Sequence, residues 1–243
     1  MKFIRKVTFP LLYFTRINKN RLYIENLSYL WEHGNKESYN QQNQRCCRHE
    51  KKNLNEMSNE ELWQLFPIIL SPHNPEWPGR YETEKELLVK TIGAENIIRI
   101  NHIGSTAVPG LTAKPTIDIL LEIQQETDPA RLIPTIESAG YIYCHKPDNP
   151  PPHMMFMKGY TSEGFKGQAF HLHIRYSGDW DEPYFRDYLL AHPDTAKAYG
   201  ELKVKLQKLY EHDRDGYTDA KTDFIREITN RAKEQITYLT NTE

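Results

Sequence analysis

His102-Ile-Gly-Ser-Thr-Ala-Val-Pro-Gly-Leu-Thr-Ala-Lys-Pro-Thr-Ile-Asp-Ile-Leu-Leu-Glu122 is the stretch on which the fold turns. The chain enters it from Ile97-Ile-Arg-Ile-Asn-His-Ile103, whose apolar residues alternate with the period of a strand. It breaks at Gly104-Ser105, passes a Pro109-Gly110 turn, and re-enters an apolar run over Thr116–Ile123. A strand, a small polar turn and a second strand with one carboxylate make a candidate phosphate and metal site. Gly104 lets a ligand reach the backbone, and exposed amides with the Ser105 and Thr106 hydroxyls suit an anion. Asp118 stands in an apolar strand, where an unpaired carboxylate is costly. Either it faces the solvent side of the sheet or it has a cation. The plain alternative is an ordinary turn beside an edge-strand aspartate.

Upstream, Ser58-Asn-Glu-Glu61 is a capping-box pattern with Leu62, Trp63 and Phe66 at helical spacing behind it. Pro67–Leu70 reads as extended, and Pro78 suits the first turn of a helix that carries Tyr81, Leu88 and Ile92 on one face and ends near Gly93. Downstream, Asp128-Pro129 opens a helix with Leu132, Ile133 and Ile136 inward, an internal Pro134, and Gly140 at its exit. Tyr141–His145 is a strand, Asp148–Pro152 a rigid loop, and His153–Lys158 a further strand. A turn over Thr161–Gln168 pairs that strand with Ala169–Arg175. The last third is helical. Pro183–Ala191 stops before Pro193, and Asp194 caps a long helix with Ala198, Leu202, Leu206 and Leu209, a core or helix–helix stripe. Tyr217–Tyr238 follows, with Phe224, Ile228, Ala232 and Ile236 inward. Together these elements predict the α/β (α+β) class, a mixed sheet flanked by helices with a C-terminal helical region.

At 243 residues, 38% of them hydrophobic, the chain is long enough for one sizeable core or a domain with an appendage. A net charge of −2 gives no case for binding along duplex nucleic acid, which wants a clustered basic face. No apolar run reaches the roughly 18 residues of a membrane span. The adjacent Cys46 and Cys47 and the remote Cys144 form neither a disulfide framework nor a zinc pattern, so a cytoplasmic, reduced setting is expected, with Cys144 an inert buried thiol. Residues 1–56 differ from the rest. Arg5, Lys6 and Pro10 interrupt the opening apolar stretch and no cleavage site follows, while residues 33–56 are polar and charged, with Asn35–Gln44 near low complexity. The expected organisation is an N-terminal extension over 1–56, disordered or preceding a native start at Met57, and one domain over 57–243.

His171 and His173 lie two apart on a predicted strand, so both point to one face, about 6–7 Å apart at Cβ. At that spacing they can share a metal or an anion, or simply be half-buried histidines bonded to neighbours. Arg175 extends the same face and adds a potential phosphate contact. Lys114 either approaches a phosphate or is a solvated loop lysine. Lys221 is a further candidate ligand contact, His102 is either a base or, the favoured reading, a support for the loop, and Arg186 with Asp187 is a candidate pair that orients the helical cap.

The run His102–Leu111, then Ala113-Lys-Pro and Ile117-Asp-Ile, closely resembles the signature of the GrpB family. Asn74–Pro78, His171-Leu-His-Ile174 and Phe185–Leu189 extend the likeness to roughly residues 57–235. The resemblance implies a branch of the nucleotidyltransferase superfamily, in which a Gly-Ser turn grips phosphates and two strand carboxylates hold divalent metal against them. Carried onto this sequence, it implies Gly104, Ser105, Thr106, Lys114, Arg175 and Lys221 on the nucleotide phosphates. Asp118, Glu122, His171 and His173 would hold a divalent metal, magnesium or a transition metal, and Asp118 and His173 would be catalytic. The chain departs from the pattern at Leu120, where the second carboxylate belongs. One carboxylate with two histidines suits zinc or a transition metal better than magnesium. The implied function is metal-dependent transfer of a nucleotidyl group from a nucleoside triphosphate. A second reading is a module that binds a nucleotide or other phosphate-bearing small molecule without turnover, as GrpB-like domains also occur fused to dephospho-coenzyme A kinases. A third is a metal-dependent hydrolase. A homodimer is left open.

Overall fold

The structure, a computed structural model, describes residues 52–144 and 152–240. Residues 1–51, with Cys46 and Cys47, and most of the Asp148–Pro152 loop lie outside the described residues. Five strands form one mixed sheet: β1 (Ile97–Ile103), β2 (Thr116–Ile123), β3 (Ile142–Cys144), β4 (Met154–Thr161) and β5 (Gly164–Tyr176). Their order is β1-β2-β5-β4-β3, with β2 parallel to β5 and the other pairs antiparallel. The helices are α1 (Asn59–Leu65), α2 (Trp77–Ile92), α3 (Pro129–Ser138), α4 (Asp181–Ala191), α5 (Pro193–Tyr210), α6 (Arg214–Asp219) and α7 (Thr222–Thr240). None of the described helices is long and apolar enough to cross a membrane. This is the mixed, helix-flanked sheet with a helical C-terminal region that the pattern predicts.

Strand alternation divides the sheet's work. Ile117, Ile119, Leu121 and Ile123 of β2 share one face with Phe170, Leu172 and Ile174 of β5. That face packs against Trp77, Tyr81, Leu88 and Ile92 of α2 and Leu132 and Ile136 of α3. Burying each such aliphatic side chain contributes roughly 1.5–3 kcal/mol, so this layer is the main core. Local signals place the helices as expected. Ser58 and Glu61 make the capping box of α1, Pro78 sits in the first turn of α2, and Asp128 accepts from the Ala130 amide to start α3. The opposite face of β2 and β5 presents Thr116, Asp118, Leu120 and Glu122 beside His171, His173 and Arg175. A second layer, the C-terminal helices, closes over that face.

Six expectations change in detail. The β4–β5 turn is tighter than Thr161–Gln168, because Gly159 at φ 85° bends β4 at a register shift and pairing continues to Thr161 and Gly164. Helix α5 begins at Pro193 rather than behind an Asp194 cap, since proline at the first helical position loses no hydrogen bond. The last predicted helix is two, with α6 ending at Asp219 and α7 beginning at Thr222. Helix α5 is also rotated from the expected stripe: Ala196, Tyr199, Gly200, Lys203 and Leu206 are buried, while Ala198 is exposed and Leu209 is 73% exposed. In α7, Ile236 is likewise exposed at 48%. Cys144 is half-buried rather than buried, its thiol 3.8 Å from the Ile142 carbonyl.

Candidate phosphate pocket

The Gly104 turn abuts Asp118. Gly104 has φ 71°, and a Cβ built there would fall 2.5 Å from Asp118 Oδ2, so only glycine lets the turn lie against this carboxylate. Parallel pairing sets Asp118 beside His171 and Leu120 beside His173. His171 Nδ1 stands 3.1 Å from Asp118 Oδ1, and its Nε2 2.8 Å from the Tyr160 hydroxyl. The consistent proton placement has Nδ1–H donating to Asp118 and Tyr160 O–H donating to Nε2. Burial pushes the His171 pKa down against the pull of Asp118. Burial alone would raise the Asp118 carboxyl, yet the His171 hydrogen bond and the surrounding positive groups hold it below its ordinary value.

Around this carboxylate four cations converge. Lys114 precedes β2, Lys203 is on α5, Arg214 opens α6, and Lys221 lies between α6 and α7. All four line one cavity of about 160 Å³ with Gly104, Ser105, Thr106, Asp118, His171 and His173. Among the described residues none of the four forms an ion pair with a carboxylate. Lys203, 3% exposed, donates to Ser105 Oγ at 2.9 Å and to the Thr112 carbonyl, and lies over the Tyr199 ring. Burial, then repulsion from Lys221, brings it down to about 7. Lys221, over the Tyr217 ring, is lowered to about 8, first by burial and, against the attraction of Asp118, by Arg214. Lys114 is pushed well below its ordinary value by burial, then by Arg214 and Lys221.

The structure sorts the expected site residues. Gly104, Ser105, Lys114, Asp118, His171, His173 and Lys221 come together at the cavity. Thr106 lines it too, but its hydroxyl donates to the Thr116 carbonyl at 3.2 Å and contacts His102 Nε2 at 3.0 Å. Glu122 does not join the metal candidates. It lies four residues along the strand from Asp118, about 13 Å away, and is fully buried in a two-pronged pair with Arg99 at 2.6 and 2.9 Å. Arg175 is turned from the cavity: its guanidinium donates to the Ile174 and Met154 carbonyls and packs on Trp180. His102, stacked on Tyr81, is a loop support, and burial lowers it to about 4. Arg186 donates to the His102 carbonyl at 2.9 Å and to Asp187 at 2.7 Å, fixing α4 across the end of β1. Sequence reasoning missed Tyr160, Lys203 and Arg214. The i, i+4 spacing of Tyr199 and Lys203, and the i, i+3, i+7 spacing of Arg214, Tyr217 and Lys221, carry a signal, but one shared with many solvated helix faces.

Donor atoms of Asp118, His171 and His173 lie within 4.8 Å of one another. One carboxylate and two imidazoles match the chemistry of zinc or a transition metal, and supply too few oxygens for a protein-held magnesium. The four cations beside them favour an anion in the same space.

A family model described as GrpB protein matches residues 67–231. The UPF0157 protein PA4798 of Pseudomonas aeruginosa is 40% identical over 166 residues, covering 68% of this chain and 67% of that protein. The crystal structure of conserved protein GrpB from Enterococcus faecalis superposes with a TM-score of 0.60 at 30% identity, over 69% of this chain and 99% of that one. A Mycolicibacterium paratuberculosis protein named dephospho-CoA kinase is 28% identical over 189 residues, 68% of this chain and 46% of that protein.

Proposed function

This chain belongs to the GrpB family, and on that premise we propose that its pocket binds the phosphate end of a nucleotide-like small molecule. The observation that carries the reading is the convergence of Lys114, Lys203, Arg214 and Lys221 on one cavity whose central carboxylate is already engaged by His171. Polyphosphate is the common small-molecule anion with enough charge to satisfy four such cations, and charge-assisted hydrogen bonds are its usual grip. At about 160 Å³ the cavity is smaller than the roughly 300 Å³ and upward of clefts that swallow whole drug-sized ligands. It therefore suits the phosphate end, with nucleoside or pantetheine parts lying outside. Similarity to a protein named dephospho-CoA kinase supports the same ligand class.

Nucleotidyl transfer is the second reading, favoured by the Asp118, His171 and His173 donors beside the Ser105 turn. There these three residues would hold a transition metal, which would neutralise phosphate charge, and Asp118 with His173 would be catalytic. Leu120 in place of the second carboxylate weighs toward binding without turnover.

Calorimetry with ATP, dephospho-coenzyme A and inorganic pyrophosphate tests both. At least one should bind, with affinity falling about tenfold or more in Lys114→Met and Lys221→Met, as expected for a lost charged contact of about 1.5–3 kcal/mol. No binding of any of the three overturns the phosphate reading. Full transferase turnover in Asp118→Ala would sink the second.

A further inference from the structure

We propose that Ser105 is a nucleophile and Lys203 its base, so that the protein transfers the terminal phosphoryl group of a nucleoside triphosphate to its own Ser105. The inference rests on the phosphate reading above and adds a covalent step to it. Ser105 opens the short turn after Gly104 and lines the cationic cavity. Its Oγ lies 2.9 Å from Lys203 Nζ, within proton-transfer reach. The neighbouring Thr106 offers a contrast, because its hydroxyl is spent on the Thr116 carbonyl. Asp118 is no rival base, since it is bonded to His171 and held low.

Lys203 is built to give up its proton. It is buried, has no carboxylate partner among the described residues, and stands among Lys114, Arg214 and Lys221. The Tyr199 ring below it favours its charge, and burial, with repulsion from Lys221, outweighs that to bring it to about 7. A neutral amine has two N–H groups and one lone pair. With one N–H on the Thr112 carbonyl, loss of the proton turns the contact that Nζ donates to Ser105 Oγ into one whose lone pair accepts the Ser105 O–H, while the Tyr199 hydroxyl shares a hydrogen bond with the same serine.

In the step, Ser105 Oγ forms a bond to the terminal phosphorus as the bond from that phosphorus to its bridging oxygen breaks. Nucleoside diphosphate leaves with the electron pair on that oxygen, and the serine proton passes to Lys203 Nζ. Lys114, Arg214 and Lys221 sit where they stabilise the charge that spreads over the transferred oxygens.

Full-length protein is incubated with terminally labelled ATP and magnesium, then measured by intact mass and peptide mapping. The expected result is one phosphate on Ser105, formed at a rate that rises with pH as Lys203 loses its proton, at a pH above the ligand-free value of about 7 because the bound triphosphate favours the ammonium. Ser105→Ala should abolish the label. Lys203→Met should slow it about 100-fold or more, and Lys203→Arg, which keeps the charge but cannot act as a base, should not restore it. Melting curves without ligand establish that each variant folds. If ATP raises the wild-type melting temperature yet Ser105 stays unmodified, the nucleophile proposal fails and the phosphate reading stands. If ATP neither stabilises nor labels, both fall. Wild-type labelling in Lys203→Arg also overturns the proposal.

Discussion

At Gly104 the backbone runs against Asp118 so closely that a methyl group would touch the carboxylate. Gly104→Ala should cost about 1–2 kcal/mol for the left-handed backbone alone, with the clash adding to it. Denaturant unfolding should show a lowered midpoint at unchanged slope, and ligand affinity should fall because Asp118 is displaced. A midpoint equal to wild type would show that the turn relaxes freely. Both Gly104 and Asp118 are legible in sequence, since glycine breaking one strand and a lone acid in the next are local anomalies. Glu122 is locally as conspicuous but goes elsewhere. Only the pairing of β1 with β2 shows that Arg99 stands opposite it and neutralises it.

Helix α5 shows what periodicity misses. Its leucines invite a stripe through Leu202, Leu206 and Leu209, yet the buried face runs through Tyr199, Lys203 and Leu206. Leu206 packs with Ile68 and Tyr217, whereas Leu209 is 73% exposed. Leu206→Ala should therefore cost about 2–5 kcal/mol, and Leu209→Ala less than about 0.5 kcal/mol. Equal losses in thermal unfolding would refute this orientation. A pattern of polarity cannot predict the face, because a lysine is read as outward by default and Lys203 is inward. By contrast α2 and the core face of β2 are readable, as their buried positions are apolar apart from Glu84.

The molecule as a whole brings cations from three distant segments against one sheet face, and this couples it to pH. In the unfolded chain lysines keep their protons to about 10.4, whereas in the fold Lys203 and Lys221 release theirs near 7 and 8. Between about pH 7 and 9 the unfolded state then binds more protons, so these groups make the ligand-free protein more stable as pH rises. A bound polyanion restores the charges, so the rise in melting temperature given by pyrophosphate should be larger at pH 7 than at pH 9. A ligand-free protein that loses stability from pH 7 to 9, with a pH-independent pyrophosphate shift, would contradict this arrangement. The sequence by itself determined the strand–turn–strand unit, the order of helices and strands, the family, and the residues Gly104, Ser105, Asp118, His171 and His173, because each is written in local spacing. Only the tertiary structure decided that Lys203, Arg214 and Tyr160 join them and that Glu122 and Arg175 do not. Contacts across 98 residues, as between Ser105 and Lys203, are set by which faces pack, and no local pattern encodes that.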